Sequence, residues 1–226
     1  SLACVFGKDH DTQYLIDQVL CIEQLMTTGG GWQDQVGALI PGIKLASSCP
    51  GIPQKVNVEL LNVSEKTVKE LNQRFVLVYT GQRRLARDIL REIMSKYILG
   101  HEDTLEVLRA IQHLAVLMRF ELEKGNVDGF AELLDKHWEL SKRLDKNATN
   151  SCIEHIIHVC RPMIDGVFIG GAGGGGFLQM ILKKNVQRSD LKRVLDAVFQ
   201  GNGIEIWDSS LVFDIPDVSD RIVKIS

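Results

Sequence analysis

No stretch of this sequence stays apolar for the ~20 residues that a bilayer-spanning helix requires, and no basic segment followed by an apolar one opens it. A membrane span and a secretory leader are not expected. The five cysteines, Cys4, Cys21, Cys49, Cys152 and Cys160, are odd in number, scattered, and nowhere arranged as Cys-x-x-Cys. That usage fits reduced thiols in a cytosol better than a disulfide framework, and each reads most simply as a small buried apolar residue. There is no long basic stripe: Lys+Arg 26 against Asp+Glu 29, well mixed, leave a net charge of −3. Nucleic acid and anionic membranes are therefore not expected partners. Also missing is a Gly-Lys-Ser/Thr ending after any glycine run, which excludes a Walker-type phosphate loop.

What is present is a soluble, globular composition, 226 residues with 45% apolar side chains, enough for one large domain or two small ones. Leu15, Ile16, Val19, Leu20, Ile22 and Leu25 recur at helical spacing and stop at Thr27-Thr28-Gly29-Gly30-Gly31. Val56 to Val63 and Phe75 to Tyr79 are rich in β-branched and aromatic residues and predict strands, preceded by a loop holding Pro50 and Pro53. Helices follow over about 83–99, 104–122, 127–144 and 152–161, the second and fourth opening on apparent capping boxes, Asp103…Glu106 and Ser151…Glu154. Strands at 167–169 and 177–182, a helix over 189–199 and a strand near 204–207 complete the pattern. It predicts an α+β fold, helices against one face of a largely antiparallel sheet, with a domain boundary at the Pro50–Pro53 loop.

Three segments carry residue types suited to chemistry. In TTGGGWQDQVGALIPG, residues 27–42, a carboxylate (Asp34), two amides (Gln33, Gln35) and an indole (Trp32) sit in a predicted turn flanked by glycines. Glycines let backbone N–H groups approach a ligand, and Asp34 is then a fixed carboxylate able to hold and deprotonate a hydroxyl. The plainer reading, a helix end with Asp34 as turn former and Trp32 as core plug, is equally open. The second segment, GGAGGGGF, places six glycines within residues 170–176, between two predicted strands. Successive N–H groups in such a loop can form a concave nest for phosphate oxygens. It contains G-x-G-x-x-G, but a strand follows it where a dinucleotide fold needs a helix. The third segment, YTGQRRLAR over 79–87, ends a strand in Thr-Gly and opens a helix bearing Arg83, Arg84 and Arg87, which can clamp phosphate or remain a solvated basic face. Cys152, His155, His158 and Cys160 are zinc-ligating types, but Cys160 falls on the Ile153/Ile156/Ile157 core stripe, away from the histidines, so no metal site is assigned to them. The histidines and Trp138 on these helices read as packing or surface residues.

TTGGGWQDQVG followed by PGIK, then LVYTGQRRLARDIL, then GAGGGGF, together resemble the kinase family named for galactokinase, homoserine kinase, mevalonate kinase and phosphomevalonate kinase (GHMP), in matching order from residue 1 to about 183. Within that family the match is nearest to the branch that phosphorylates L-fucose. The resemblance implies that Asp34 is the catalytic carboxylate facing a sugar hydroxyl, that Trp32, Gln33, Gln35 and Arg84 lie at the substrate, and that Gly171, Ala172, Gly173, Gly174, Gly175 and Gly176 line the ATP phosphates. It assigns no role to Lys44 and no magnesium ligand. ATP and Mg²⁺ are the implied cofactors, and the implied reaction moves the γ-phosphoryl group to the anomeric hydroxyl of L-fucose. By the same resemblance, residues 1–52 are the remainder of the family's N-terminal domain and 53–226 its C-terminal domain. Ser1-Leu2-Ala3 would then follow directly on the family's Pro/Gly/Ser phosphate loop, and a chain lacking that loop is expected to be inactive alone. Rival readings are a heptose-phosphate kinase, or a non-catalytic module that binds a sugar or packs against a neighbouring nucleotide-sugar-forming domain. The extra glycine and tryptophan of GGGWQDQVG favour fucose.

Overall fold

The computed structural model describes residues 11–26, 30–51, 54–82, 87–171, 173–209 and Leu211. Arg84, Ala172 and the residues 27–29 of the first glycine turn lie outside the described residues. The chain forms two compact units, the first running to Leu61 and the second spanning Asn62–Leu211.

In the first unit, α1 (Thr12–Leu25) and α2 (Gln33–Leu39) precede a hairpin of β1 (Lys44–Ser48) and β2 (Val56–Leu60). The hairpin is antiparallel, with Lys44 opposite Leu60 and Ser48 opposite Val56. The loop holding Pro50, read from sequence as a domain boundary, connects these two paired strands, and the division into units falls after β2. The segment around Asp34, expected as a turn, is instead the short helix α2: Val36 and Ile40 donate to the carbonyls of Trp32 and Val36. Ile16 of α1 and Val36 of α2, each 2% exposed, are the buried apolar side chains among the described residues of this unit.

The second unit is an α+β assembly. Its four-stranded antiparallel sheet has the order β4 (Ile164–Ile169), β5 (Phe177–Leu182), β3 (Phe75–Tyr79), β6 (Glu205–Trp207). Strand alternation puts Val76 and Val78 of β3, Leu178 and Met180 of β5, and Val167 and Ile169 of β4 on one face, and all are buried. These side chains share a single core with Ile153, Ile156, Ile157 and Cys160 of α7 (Ser151–Cys160) and Leu191 and Leu195 of α8 (Arg188–Val198). Burial also pushes the Cys160 thiol up to about 12, as befits an inert core residue, and His155 packs edge-on against Phe199 at 5.1 Å.

Not every helix lies on that face. After α4 (Arg87–Ile98), the hairpin of α5 (Glu102–Glu123) and α6 (Val127–Leu144) brings α6 along the free edge of β4. Asp135 Oδ1 accepts the outward N–H of Val167 at 2.8 Å, replacing the strand partner that an edge lacks. The approach is close enough that a Cβ on Gly166 would sit 2.3 Å from the Ala131 carbonyl oxygen, so only glycine fits there. His137 of α6 stacks on Phe168 of β4 at 4.4 Å, and its burial lowers its pKa.

Two elements have no counterpart in the sequence pattern, β1 and α3 (Glu65–Arg74). Ser64 caps α3 by accepting the Thr67 N–H. The helix ends on Arg74, only 4% exposed, whose guanidinium donates to the Leu182 carbonyl (2.7 Å) and to the carboxylates of Glu70 (2.6 Å), Asp128 (2.7 Å) and Asp165 (2.7 Å). One side chain therefore joins α3, α6, β4 and β5. The expected capping boxes also differ: α5 has His101 at its N-cap without a side-chain bond, and α7 is capped by Asn150 rather than Ser151. Among the described residues no helix is long and apolar enough to cross a membrane.

Candidate functional site

In the first unit α2 distributes its polar residues around its axis. Gln33 and Asp34 are exposed in its first turn, whereas Gln35, one helical step on, is 5% exposed, and neither atom of its amide finds a hydrogen-bond partner. Burying such a group unpaired costs about 1–3 kcal/mol. Asp34 and Gln35 border a groove of about 270 Å³ whose other walls are Leu15 and Val19 of α1 and Ala38 and Leu39 of α2. Trp32 sits at the N-cap of α2, half-buried, and donates from Nε1 to Ser48 Oγ at 3.2 Å. Lys44 donates to the carbonyls of Ile40 and Gly42, closing the connection between α2 and β1, and burial lowers its pKa. Its part in this structure is to fasten the chain behind α2.

In the second unit the glycine loop is shaped by its backbone. Gly171, Gly173, Gly174 and Gly176 have φ of 74°, 85°, 74° and 89°, in the left-handed region that other residues rarely enter. The loop is also held from outside. Gly174 N–H donates to the Ala148 carbonyl, Gly176 N–H donates to the Gln82 carbonyl (2.9 Å), and the Gly176 carbonyl accepts from both the N–H (2.9 Å) and hydroxyl (3.0 Å) of Thr80. A Cβ on Gly173 would fall 2.6 Å from the Ala148 oxygen, and one on Gly175 would fall 3.0 Å from the Gln82 oxygen. Among the described residues no acceptor is found for the N–H groups of Gly173 and Gly175. Over residues 173–176 the loop thus alternates engaged and available N–H donors.

Thr80, Gly81 and Gln82 form the wall behind the loop. Thr80 is 1% exposed, and Gly81, with φ of 72°, approaches the turn at Asn202 so closely that a Cβ would be 2.7 Å from the Asn202 oxygen. Asn150 completes the wall: its Nδ2 donates to Gln82 Oε1 (2.9 Å) and the Gly174 carbonyl (3.2 Å), while its Oδ1 accepts the N–H groups of Cys152 and Ile153 at 3.0 Å each. Sequence reasoning singled out the loop and the Tyr79-Thr80-Gly81 strand end but not Asn150 or Gln82. Asn150 directly before a helical apolar pattern was the available signal. No group of three or more His, Cys, Asp or Glu side chains able to hold a metal occurs among the described residues.

An antiparallel α+β unit with a glycine loop bound to the end of its third strand defines the class: the fold is that of the GHMP kinases. A solved Streptococcus pneumoniae phosphomevalonate kinase, in complex with phosphomevalonate and AMPPNP, matches with a TM-score of 0.69 at 12% identity, over 91% of this chain and 63% of that one. No family model matches the chain. Curated relatives narrow the class. The chain is 35% identical over 192 residues to the bifunctional fucokinase/GDP-fucose pyrophosphorylase of Arabidopsis thaliana, covering 85% of this chain and 18% of that protein. It is 34% identical over 189 residues to the L-fucokinase/L-fucose-1-P guanylyltransferase of Bacteroides fragilis, covering 84% and 20%. It is 30% identical over 188 residues to the D-glycero-alpha-D-manno-heptose 7-phosphate kinase of Campylobacter jejuni, covering 79% and 54%. The chain spans between 18% and 54% of the length of these relatives. In sequence the chain is thus similar to fucokinases and to a heptose-phosphate kinase, and in fold to the GHMP kinases.

Proposed function

We propose that the chain is part of an ATP-dependent phosphotransferase that phosphorylates the anomeric hydroxyl of L-fucose, yielding fucose 1-phosphate and ADP. The observation that carries this is the glycine loop, with N–H donors left available at Gly173 and Gly175 beside the Thr80–Gln82 strand end, in a chain 35% identical to a fucokinase. Such donors suit the phosphates of a nucleotide, since oriented amides stabilise oxyanion charge without reorganising. Asp34 is proposed to accept the proton of the sugar hydroxyl as its oxygen bonds to the γ-phosphorus and the bond to the bridging β–γ oxygen breaks. Trp32, Gln33, Gln35 and Arg84 are proposed to orient the sugar. Magnesium, when bound, would neutralise charge on the β- and γ-phosphates.

In domain terms, we assign the unit that runs to Leu61 to the end of the kinase N-terminal domain and the unit from Asn62 to Leu211 to its C-terminal domain. We propose that the reaction runs in the cytoplasm, beside a nucleotidyl-transferring domain of the kind that two relatives carry in their names, GDP-fucose pyrophosphorylase and L-fucose-1-P guanylyltransferase. The 30% identity to a heptose 7-phosphate kinase supports a second reading, phosphorylation of a heptose phosphate. A coupled kinase assay on the protein at its natural length, with ATP and either sugar, separates them. Turnover with L-fucose is expected, and Asp34→Asn should lower it by ~10² to 10⁴ at an unchanged melting temperature. Turnover with the heptose phosphate alone would establish the second reading. An Asp34→Asn enzyme within a fewfold of wild type would remove Asp34 from the chemistry.

A further inference from the structure

Resting on the proposal that the glycine loop receives nucleotide phosphate, we infer that Asn150 is the positioning residue that aims the Gly175 N–H at that phosphate. In a trans peptide the C=O and the N–H that follows it point in opposite directions. The Gly174 carbonyl accepts from Asn150 Nδ2 at 3.2 Å, so the N–H of the same peptide, that of Gly175, is turned away from Asn150 and away from the α7 terminus. On the neighbouring peptides the order is reversed. There the N–H groups of Gly174 and Gly176 point inward, to Ala148 and Gln82, and the carbonyls of Gly173 and Gly175 turn outward. Of the peptide planes spanning Gly173 to Gly176, the one held by Asn150 is therefore the one that presents a donor. With no Cβ at either end, rotation of that plane meets little steric resistance, so a side-chain bond is needed to fix it.

Asn150 is suited to this because its amide is fully engaged and cannot turn freely. Both donors are used, on Gln82 and Gly174, and Oδ1 carries two N–H groups of the first turn of α7. A rigid helix end thereby sets the orientation of a glycine peptide. The third bond runs to Gln82, the last described residue before Arg83, so the same amide also ties the loop to the strand end that leads toward Arg84.

The capping and positioning roles separate by substitution. Asn150→Asp keeps an N-cap oxygen at least as good as asparagine's but loses both donors, placing a carboxylate against the Gly174 carbonyl and Gln82 Oε1. Asn150→Ser keeps a capping hydroxyl that is too short to reach Gly174 and adds no charge. Affinity for ATP and for inorganic tripolyphosphate, by calorimetry, and the KM values for ATP and sugar would be measured on the protein at its natural length beside thermal melts. Losing one hydrogen bond to a charged phosphate weakens binding by roughly 10-fold to 100-fold. Both variants are expected to show that loss for ATP and tripolyphosphate, with an unchanged sugar KM and nearly unchanged melting. A purely structural Asn150 would instead lower the melting temperature and the active fraction while leaving the KM for ATP alone, and that pattern would overturn the inference. So would ATP affinity within twofold of wild type in Asn150→Ser. A wild-type protein that binds ATP but phosphorylates no sugar would sink the proposed function and leave the Asn150 test standing through the binding data. If wild type bound neither ATP nor tripolyphosphate, both would fall.

Discussion

At one end of the four-stranded sheet, where β3 begins and β5 ends, the Arg74 guanidinium is enclosed by three carboxylates and a backbone carbonyl. At the other end, where β3 stops at Tyr79 and β5 starts at Phe177, the glycine loop is held by backbone and amide bonds that leave the Gly173 and Gly175 donors available. The same two strands thus run from a place where side-chain charge is matched internally to a place where backbone polarity is not. In the first place the charges are already paired with one another. An unmatched row of amides, fixed in direction, is what a ligand can complete. The difference suggests that stability and binding reside at opposite ends of one sheet, so that either can be altered with limited effect on the other.

The comparison breaks most sharply at Arg74. Arg74→Met removes the cation and leaves Glu70, Asp128 and Asp165 close together without their shared partner. A loss of roughly 3 kcal/mol is expected, or on the order of 10 °C in melting temperature, with the KM for ATP of the surviving folded protein unchanged. A melting temperature within a degree or two of wild type would mean that the cluster is ordinary surface electrostatics.

At the loop end, Gly173→Ala and Gly171→Ala form a matched pair. Both residues have positive φ, but a Cβ at Gly173 meets the Ala148 oxygen at 2.6 Å whereas at Gly171 nothing lies within 4 Å. Gly171→Ala should therefore show only the left-handed backbone cost of about 1–2 kcal/mol. Gly173→Ala should cost more and should raise the KM for ATP, because it pushes the loop away from Ala148. Equal melting temperatures and equal KM values in the two variants would argue that the loop is not held where the Ala148 contact places it.

The smallest effect concerns acid. Burial lowers the pKa of His137 in the fold, so the unfolded chain takes up its proton first. The stability this residue contributes is complete above its ordinary value of ~6.5 and is lost as pH falls from there through its folded value. Asp128 is held below the ordinary carboxylate range, first by its hydrogen bond to Lys184 and then by Arg74, so its contribution persists until the pH falls below ~3.9. Acid melts should thus show a shallow early loss as the pH falls below ~6.5, which His137→Gln removes. The Arg74 end should weaken only at lower pH. An early loss that persists in His137→Gln would assign it to another group.

Much of this was legible one segment at a time. The strands β3 and β5 and the helices α5 to α8 follow from runs of β-branched residues or from apolar stripes, because each buries a continuous face. The α3 helix was hidden: between Glu65 and Arg74 its apolar side chains are only Val68 and Leu71, and what it mainly delivers to the interior is an arginine. β1, Lys-Leu-Ala-Ser-Ser, lacks the β-branched residues that mark its partner, so only pairing with β2 reveals it. Asp34 was expected in a turn because glycines flank it, yet Gln33 to Leu39 form a helix whose Val36 is buried.

What the amino-acid order determined by itself was local: which segments extend, which coil, and that six glycines among residues 170–176 give a backbone able to adopt conformations closed to other residues. Only the tertiary structure decided how those glycines are used. The directions of their N–H groups depend on Ala148, Asn150, Thr80 and Gln82, which are distant in sequence and meet the loop only because β3 pairs with β5 and α7 packs beneath them. The physical reason is that a glycine peptide has almost no orientational preference of its own. Its direction is imposed by the partners that bind it, and those partners are assembled by the fold.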